Sequence, residues 1–330
     1  MNVLRSTSSG AARLADGALE LTVVGGFAST GIRVRRRMFG WSDPPRLDGR
    51  RVVITGATSG IGLACARAIV DLGAQVSIVG RDPDRTRATA QDLGRRSASE
   101  VTTYIADLDL LGNARRVADE IAADGRPVDV LVHNAGALTA EYRRTEDGFE
   151  ATYAAQVLSQ HVLTSRLLPA LQRSSSPRVI VVASGGMYAE KLDVGTVQMT
   201  ASDYDGVRAY ARAKRAQVTL TQEWARRFPD CPVAFHSMHP GWADTPGVQA
   251  SLPTFRRLTR PILRTPQEGA DTIVWLAGVD PIPGANGSFW LDRAPRATVR
   301  YPGTRPAPGD PAALWDLVCQ QSGEVPACPG

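Results

Sequence analysis

A β-branched run, Val52-Val53-Ile54, leads directly into Thr55-Gly56-Ala57-Thr58-Ser59-Gly60-Ile61-Gly62, and this junction constrains the fold more than any other stretch of the chain. Gly56 permits a sharp turn, Gly60 lets backbone approach a pyrophosphate, and Gly62 lets the next helix pack close to the strand. That helix, read over Ile61 to Leu72, would offer uncapped N–H groups and positive partial charge to phosphate. A glycine-rich turn alone is a weak signal; its strand–turn–helix setting is what gives it weight.

The rest of the chain repeats the same alternation. Apolar runs at Gln75–Val79, Val101–Ile105, Val128–Val132, Val179–Val182, Val233–Phe235 and Ser288–Leu291 predict strands. Helical patterns lie between them at Pro83–Leu93, Leu111–Ala123, Glu146–Leu171, Val207–Phe228 and Pro266–Leu276. Continuous apolar strands separated by helices predict an α/β fold, a doubly wound parallel sheet (Rossmann fold) with helices on both faces. The division reads as an N-terminal extension over 1–48, a catalytic domain over 49–295, and a Pro-rich C-terminal tail with a short helix over 296–330.

Composition excludes several classes. Apolar residues at 43% suffice for a full core, and the net charge of +5 is spread too evenly for a nucleic-acid stripe. Cys65, Cys231, Cys319 and Cys328 show neither Cys-x-x-Cys nor zinc spacing, which fits a reducing, cytoplasmic setting. No stretch reaches the length of a membrane span. The apolar segment Ala18–Ile32 and the cluster Arg33-Val34-Arg35-Arg36-Arg37 could rest peripherally on an anionic membrane, or form a solvated basic turn; the turn is the preferred reading. His236 and His239 lack a third ligand in sequence, so no metal is expected.

Arg81 follows the second strand in Gly80-Arg81-Asp82, where an acidic residue would bind the free ribose hydroxyls of NAD. A cation there, with the Ser59 hydroxyl nearby, favours the extra phosphate of NADP(H) over NAD(H).

Thr55-Gly-x-x-x-Gly-x-Gly, His133-Asn134-Ala135-Gly136, Tyr210-Ala-Arg-Ala-Lys214 and Pro240-Gly241 with Thr245 beyond, in this order, resemble the short-chain dehydrogenase/reductase superfamily over residues 50–295. Ser184-Gly185-Gly186-Met187 and the stretch from His239 to Val248 resemble the branch that contains human dehydrogenase/reductase member twelve. The resemblance implies a nicotinamide cofactor held by Gly56, Thr58, Ser59, Gly60, Ile61, Gly62 and Arg81. Asp107 and Leu108 would lie at its adenine and Asn134, Ala135 and Gly136 beside it. Pro240, Gly241 and Thr245 would hold its carboxamide. It further implies Ser184, Tyr210 and Lys214 as catalytic residues, with Tyr210 and Lys214 also touching the cofactor. Four residues apart, Tyr210 and Lys214 share a helix face, so the ammonium is expected to lower the phenol's pKa.

At the position where the family carries an asparagine that holds a relay water, this chain has Gln156. Two functions follow: an NADP(H)-dependent oxidoreductase interconverting a carbonyl and an alcohol, or a cofactor-binding sensor or scaffold with little turnover. A sugar-nucleotide epimerase shares the Tyr/Lys pair, but the short substrate region argues against it. Loops carrying Tyr188, Val194, Val197 and Met199, and Trp242, Val248, Leu252, Phe255, Leu258 and Ile262, are expected to form apolar lids over a lipophilic small-molecule substrate. The resemblance also implies a homo-oligomer that pairs through the two long helices.

Overall fold

The computed structural model describes residues 10–96 and 100–328, so the first nine residues of the extension and the last two of the tail lie outside it. Three helices come first: α1 (Gly10–Leu21), α2 (Val23–Phe27) and α3 (Ser29–Met38). The sheet strands are β1 (Arg51–Thr55), β2 (Gln75–Gly80), β3 (Val101–Ile105), β4 (Val130–His133), β5 (Arg178–Val182), β6 (Ala234–Met238), β7 (Phe289–Leu291) and β8 (Ala294–Arg296). Between them run α4 (Gly60–Asp71), α5 (Pro83–Gly94), α6 (Leu111–Ala123), α7 (Ala151–Tyr153), a π-helical turn at Ala154–Leu158, α8 (Ser159–Gln172), α9 (Gly206–Arg227), α10 (Pro246–Ser251), α11 (Pro253–Thr259) and α12 (Pro266–Gly278). Helix α13 (Asp310–Ser322) closes the chain.

Strand order is β3-β2-β1-β4-β5-β6-β7-β8, with β1 to β7 parallel and β8 antiparallel to β7. This is the doubly wound sheet expected from the sequence. Val52 and Ile54 of β1 pack with Cys65, Ile69 and Val70 of α4 and Ile273 of α12 on one face; Val53 packs toward α6 and α8 on the other. The order reverses between β1 and β4, and the crevice beyond the carboxyl ends of these strands is where such folds bind ligands.

The ends of the chain differ from their sequence reading. The N-terminal segment is helical and docked, with Phe27, Ala28 and Ile32 buried against the domain. The apolar side of this segment therefore faces inward, although Leu14, Val24 and Val34 remain exposed. The arginine cluster is not simply a solvated turn. Arg35 has a side-chain exposure of 0% and donates to Asp16 at 2.7 Å, Glu20 at 2.7 Å and Asp292 at 2.6 Å. Asp292, equally buried, also receives Arg264 at 2.6 Å. Burial of these guanidiniums is tolerable because each is paired and hydrogen-bonded.

At the other end, α13 packs on α8 and α9 through Leu314, Trp315 and Val318. It thereby occupies part of the surface of the two long helices. A Cys231–Cys328 disulfide ties down the Pro-rich tail, and it departs from the reducing setting inferred from cysteine spacing. Its partners are 97 residues apart, so spacing alone could not reveal it. No helix among the described residues is long and apolar enough to cross a membrane.

Candidate active site

The glycine turn is built as its spacing suggests. Gly56 has φ +67°, and a Cβ there would come within 2.8 Å of the Ala135 Cα. A Cβ on Gly62 would meet the Asn134 Nδ2 at 2.3 Å. Asn134 Nδ2 donates to the carbonyls of Thr55 at 3.1 Å and Gly56 at 3.0 Å, while the Thr55 hydroxyl accepts from the N–H groups of Asn134 and Ala135. Asn134 thus welds β4 to the turn. Ser59, exposed at the start of α4, makes no capping hydrogen bond, so the helix N-terminus remains available to an anion. The turn therefore fits a dinucleotide phosphate.

Arg81 leaves the end of β2 exposed, with no ion pair among the described residues. Asp82 is engaged otherwise: its carboxylate accepts from the Arg85 N–H at 2.9 Å and caps α5. At the end of β3, Asp107 accepts from the Asp109 N–H, and the Leu108 carbonyl accepts from the Ser159 hydroxyl. Gly136 is exposed beside Gln156. Opposite the turn, a Cβ on Gly60 would touch Thr245 at 3.3 Å, so the Pro240–Gly241–Thr245 segment closes over it. Thr245 also caps α10 through the Val248 N–H. Thr58 packs toward Gly80, and Ile61 lies against Gly269 of α12 beside Ala243.

Ser184 extends β5, and Tyr210 and Lys214 lie on the first half of α9. Ser184 hydrogen-bonds the Tyr210 phenol, which favours the ionised form, but burial outweighs it and pushes the phenol up to about 12. Lys214 does not offset this. Its Nζ sits 5.1 Å from the Tyr210 ring centroid and donates instead to the Val182 carbonyl at 2.9 Å and to Gln217 Oε1 at 2.8 Å. Burial lowers the Lys214 ammonium to about 7. The expected acidified phenol is thus corrected: Tyr210 is held protonated at neutral pH, the state a proton donor needs.

Gln156 occupies the π-helical turn and is buried. Its Nε2 donates to the Ala137 carbonyl at 3.0 Å, and its main-chain carbonyl accepts from Gln217 Nε2 at 2.8 Å. The side chain therefore anchors the loop after β4, and it is the main chain that leads toward Lys214.

Three contributors were not found from sequence. Gln217, three residues after Lys214 on the same helix face, was visible in principle. Phe27 and Arg264 were not. The Phe27 ring packs within 4.4 Å of His239 and 6.1 Å of Trp242 (centroid to centroid) and against Gly185, the neighbour of Ser184. Its carbonyl accepts from the Trp242 N–H and from Arg264 Nε, both at 2.9 Å. The N-terminal extension is therefore part of the wall of this crevice. His239 Nδ1 accepts from the Gly241 N–H and His236 Nδ1 from Trp290 Nε1, so both imidazoles have structural partners.

The two expected lids differ. Tyr188, Val197 and Met199 are buried in the core, and Val194 packs against it. Trp242, Val248, Leu252, Phe255 and Ile262 are half-buried along α10, α11 and their flanks, and Leu258 is exposed. Apart from Val194, only the second set has apolar surface to offer.

A family model for short chain dehydrogenases matches residues 50–254. The chain belongs to the short-chain dehydrogenase family. It is similar to dehydrogenase/reductase SDR family member 12 of Bos taurus, 38% identical over 256 residues that make up 77% of this chain and 80% of that protein. Retinol dehydrogenase 14 of Homo sapiens is 33% identical over 283 residues, covering 79% of this chain and 83% of its own. Among solved structures, an uncharacterized protein from Mycobacterium paratuberculosis superimposes with a TM-score of 0.70 at 29% identity, over 88% of this chain and 99% of its own. As a family member the chain is an oxidoreductase acting on CH–OH and C=O groups with a nicotinamide dinucleotide.

Proposed function

We propose that this chain is an NADP(H)-dependent reductase of a lipophilic aldehyde or ketone, running the reverse oxidation on the same residues. The observation that carries the reading is the meeting of Ser184, Tyr210 and Lys214 at the carboxyl ends of the strands that also hold the glycine turn. The nicotinamide, when bound, supplies or accepts the hydride. Ser184 would hold the substrate oxygen, and Tyr210, protonated at neutral pH, would donate to it as it gains charge. Lys214 would orient the phenol and the nicotinamide ribose. Gly56, Thr58, Ser59, Gly60, Asn134, Ala135, Gly136, Pro240, Gly241 and Thr245 would line the cofactor, with Asp107 and Leu108 at its adenine end.

Preference for NADP(H) rests on Arg81, exposed and without an ion pair among the described residues, with the neighbouring acid committed to capping α5. The lipophilic substrate class rests on the Trp242–Phe255 pair, at 5.2 Å between ring centroids, and on the half-buried apolar groups around it. A relative named for retinol is consistent with it.

The test is oxidation of NADPH and NADH against a panel of apolar aldehydes and ketones. NADPH should be preferred, Arg81→Asp should reverse the preference, and Tyr210→Phe should lower kcat by about 100-fold or more. A Tyr210→Phe enzyme as active as the parent overturns the reading. Tight NADPH binding with no turnover on the panel would leave the sensor or scaffold alternative.

A further inference from the structure

Gln217 links the buried lysine to the π-helical turn. Its Oε1 accepts from Lys214 Nζ at 2.8 Å, and its Nε2 donates to the Gln156 main-chain carbonyl at 2.8 Å. Both glutamines are about 1% exposed. The amide has one possible orientation, because a flipped amide would set its NH2 group against an ammonium and its oxygen against a carbonyl. The π-helical turn supplies the acceptor by breaking the regular register at Ala154–Leu158, a distortion often found at functional sites.

An amide in this place differs chemically from a water molecule. Water can pass a proton by giving up one hydrogen and accepting another. A primary amide bridging in this way offers only its carbonyl to the ammonium, and it relays no proton without becoming an imidic acid. A water-sized cavity of about 10 Å³, lined by Thr55, His133, Gln156, Gln160 and Gln217 among others, lies behind it, with Gln156 Oε1 and Gln160 Oε1 lacking partners among the described residues. Gln217 lines this cavity and bonds Lys214, which does not line it, so the amide stands between the two.

We propose that Gln217 is a positioning residue that fixes the Lys214 ammonium through an amide bridge to the Gln156 carbonyl and closes the route from that ammonium to the water-sized cavity. The proposal rests on Lys214 serving the reaction as described above. Groups facing Lys214 are few. Tyr210 lies on its own helix, β5 offers the Val182 carbonyl, and His133 of β4 lines the cavity beyond Gln217. No carboxylate contacts Nζ within hydrogen-bonding distance among the described residues, so Gln217 is its side-chain acceptor.

The chain permits a direct test, because Lys191 and Lys214 are its only lysines. With lysine labelled at Cε with carbon-13, two NMR signals are expected, and Lys191→Arg assigns them. In the full-length protein, Gln217→Met keeps the volume but removes the acceptor, and should lower the Lys214 titration midpoint by about one unit. Gln217→Glu should raise it by a similar amount. The alkaline limb of kcat/KM for NADPH should move in the same two directions. Unchanged Lys214 midpoints in both variants overturn the proposal, since a purely packing role would leave them in place. The NMR midpoint needs no turnover, so it separates a failure of this bridge from a failure of the oxidoreductase reading.

Discussion

All four histidines of this chain are buried, and each is held neutral. His133 Nε2 shares a hydrogen bond with the Thr164 hydroxyl, His161 Nε2 lies 3.2 Å from the Glu324 carbonyl, and His236 and His239 accept through Nδ1. Burial depresses His133 to about 3, His161 and His236 to about 4, and His239 well below the ordinary value. As pH falls, the unfolded chain therefore takes up these protons first, and the folded state loses stability from the ordinary histidine pKa downward. Taking 6.5 for the unfolded rings, a drop from pH 7 to pH 5.5 costs about 1.3 kcal/mol per histidine and about 5 kcal/mol for the set. That is a large share of the stability of an ordinary domain. The carboxylates held low by arginine partners, such as Asp16, Glu223 and Glu268, lose their contribution only at more acid pH, so the window belongs to the imidazoles. Urea unfolding followed by tryptophan fluorescence at the two pH values measures the difference. Equal midpoints would show that the imidazoles are not held neutral.

Two further outcomes are expected. Asp292→Asn leaves Arg264 without a carboxylate partner and Arg35 with only the more exposed Asp16 and Glu20; a loss of about 3 kcal/mol is expected, read as a lowered Tm, and a melt superimposable on the parent would refute it. Because α13 packs against both α8 and α9, light scattering at micromolar concentration should return the mass of one chain; the mass of a dimer would refute this.

The central sheet was legible because each buried parallel strand is a continuous apolar run and each connection carries a helical period. The candidate site was legible as a pattern because the chemistry demands fixed spacings, a glycine turn after β1 and Tyr–Lys four apart. Strand β8 was missed for a definite reason. Its hairpin turns through Asp292 and Arg293, at φ +53° and +57°, where asparagine and glycine are the usual signal. The ion pairs of Asp292 with Arg35 and Arg264 hold that turn, and they depend on residues far away in the chain. The N-terminal helices were missed because their stability comes from docking rather than from local period, interrupted as they are by Gly17, Gly25 and Gly26. The phenol's protonation was misjudged because spacing places a lysine near a tyrosine but does not show that the lysine points to Val182 and Gln217.

The Arg35–Asp292 pair spans 257 residues. A ribosome adding about 5–20 residues per second needs on the order of 13–50 s between the two. Throughout that interval the first helices to emerge carry a guanidinium whose main acceptor has yet to be translated. The segment that walls the crevice is therefore among the first parts synthesised, and its buried arginine gains the Asp292 carboxylate only when the last strands of the sheet are made.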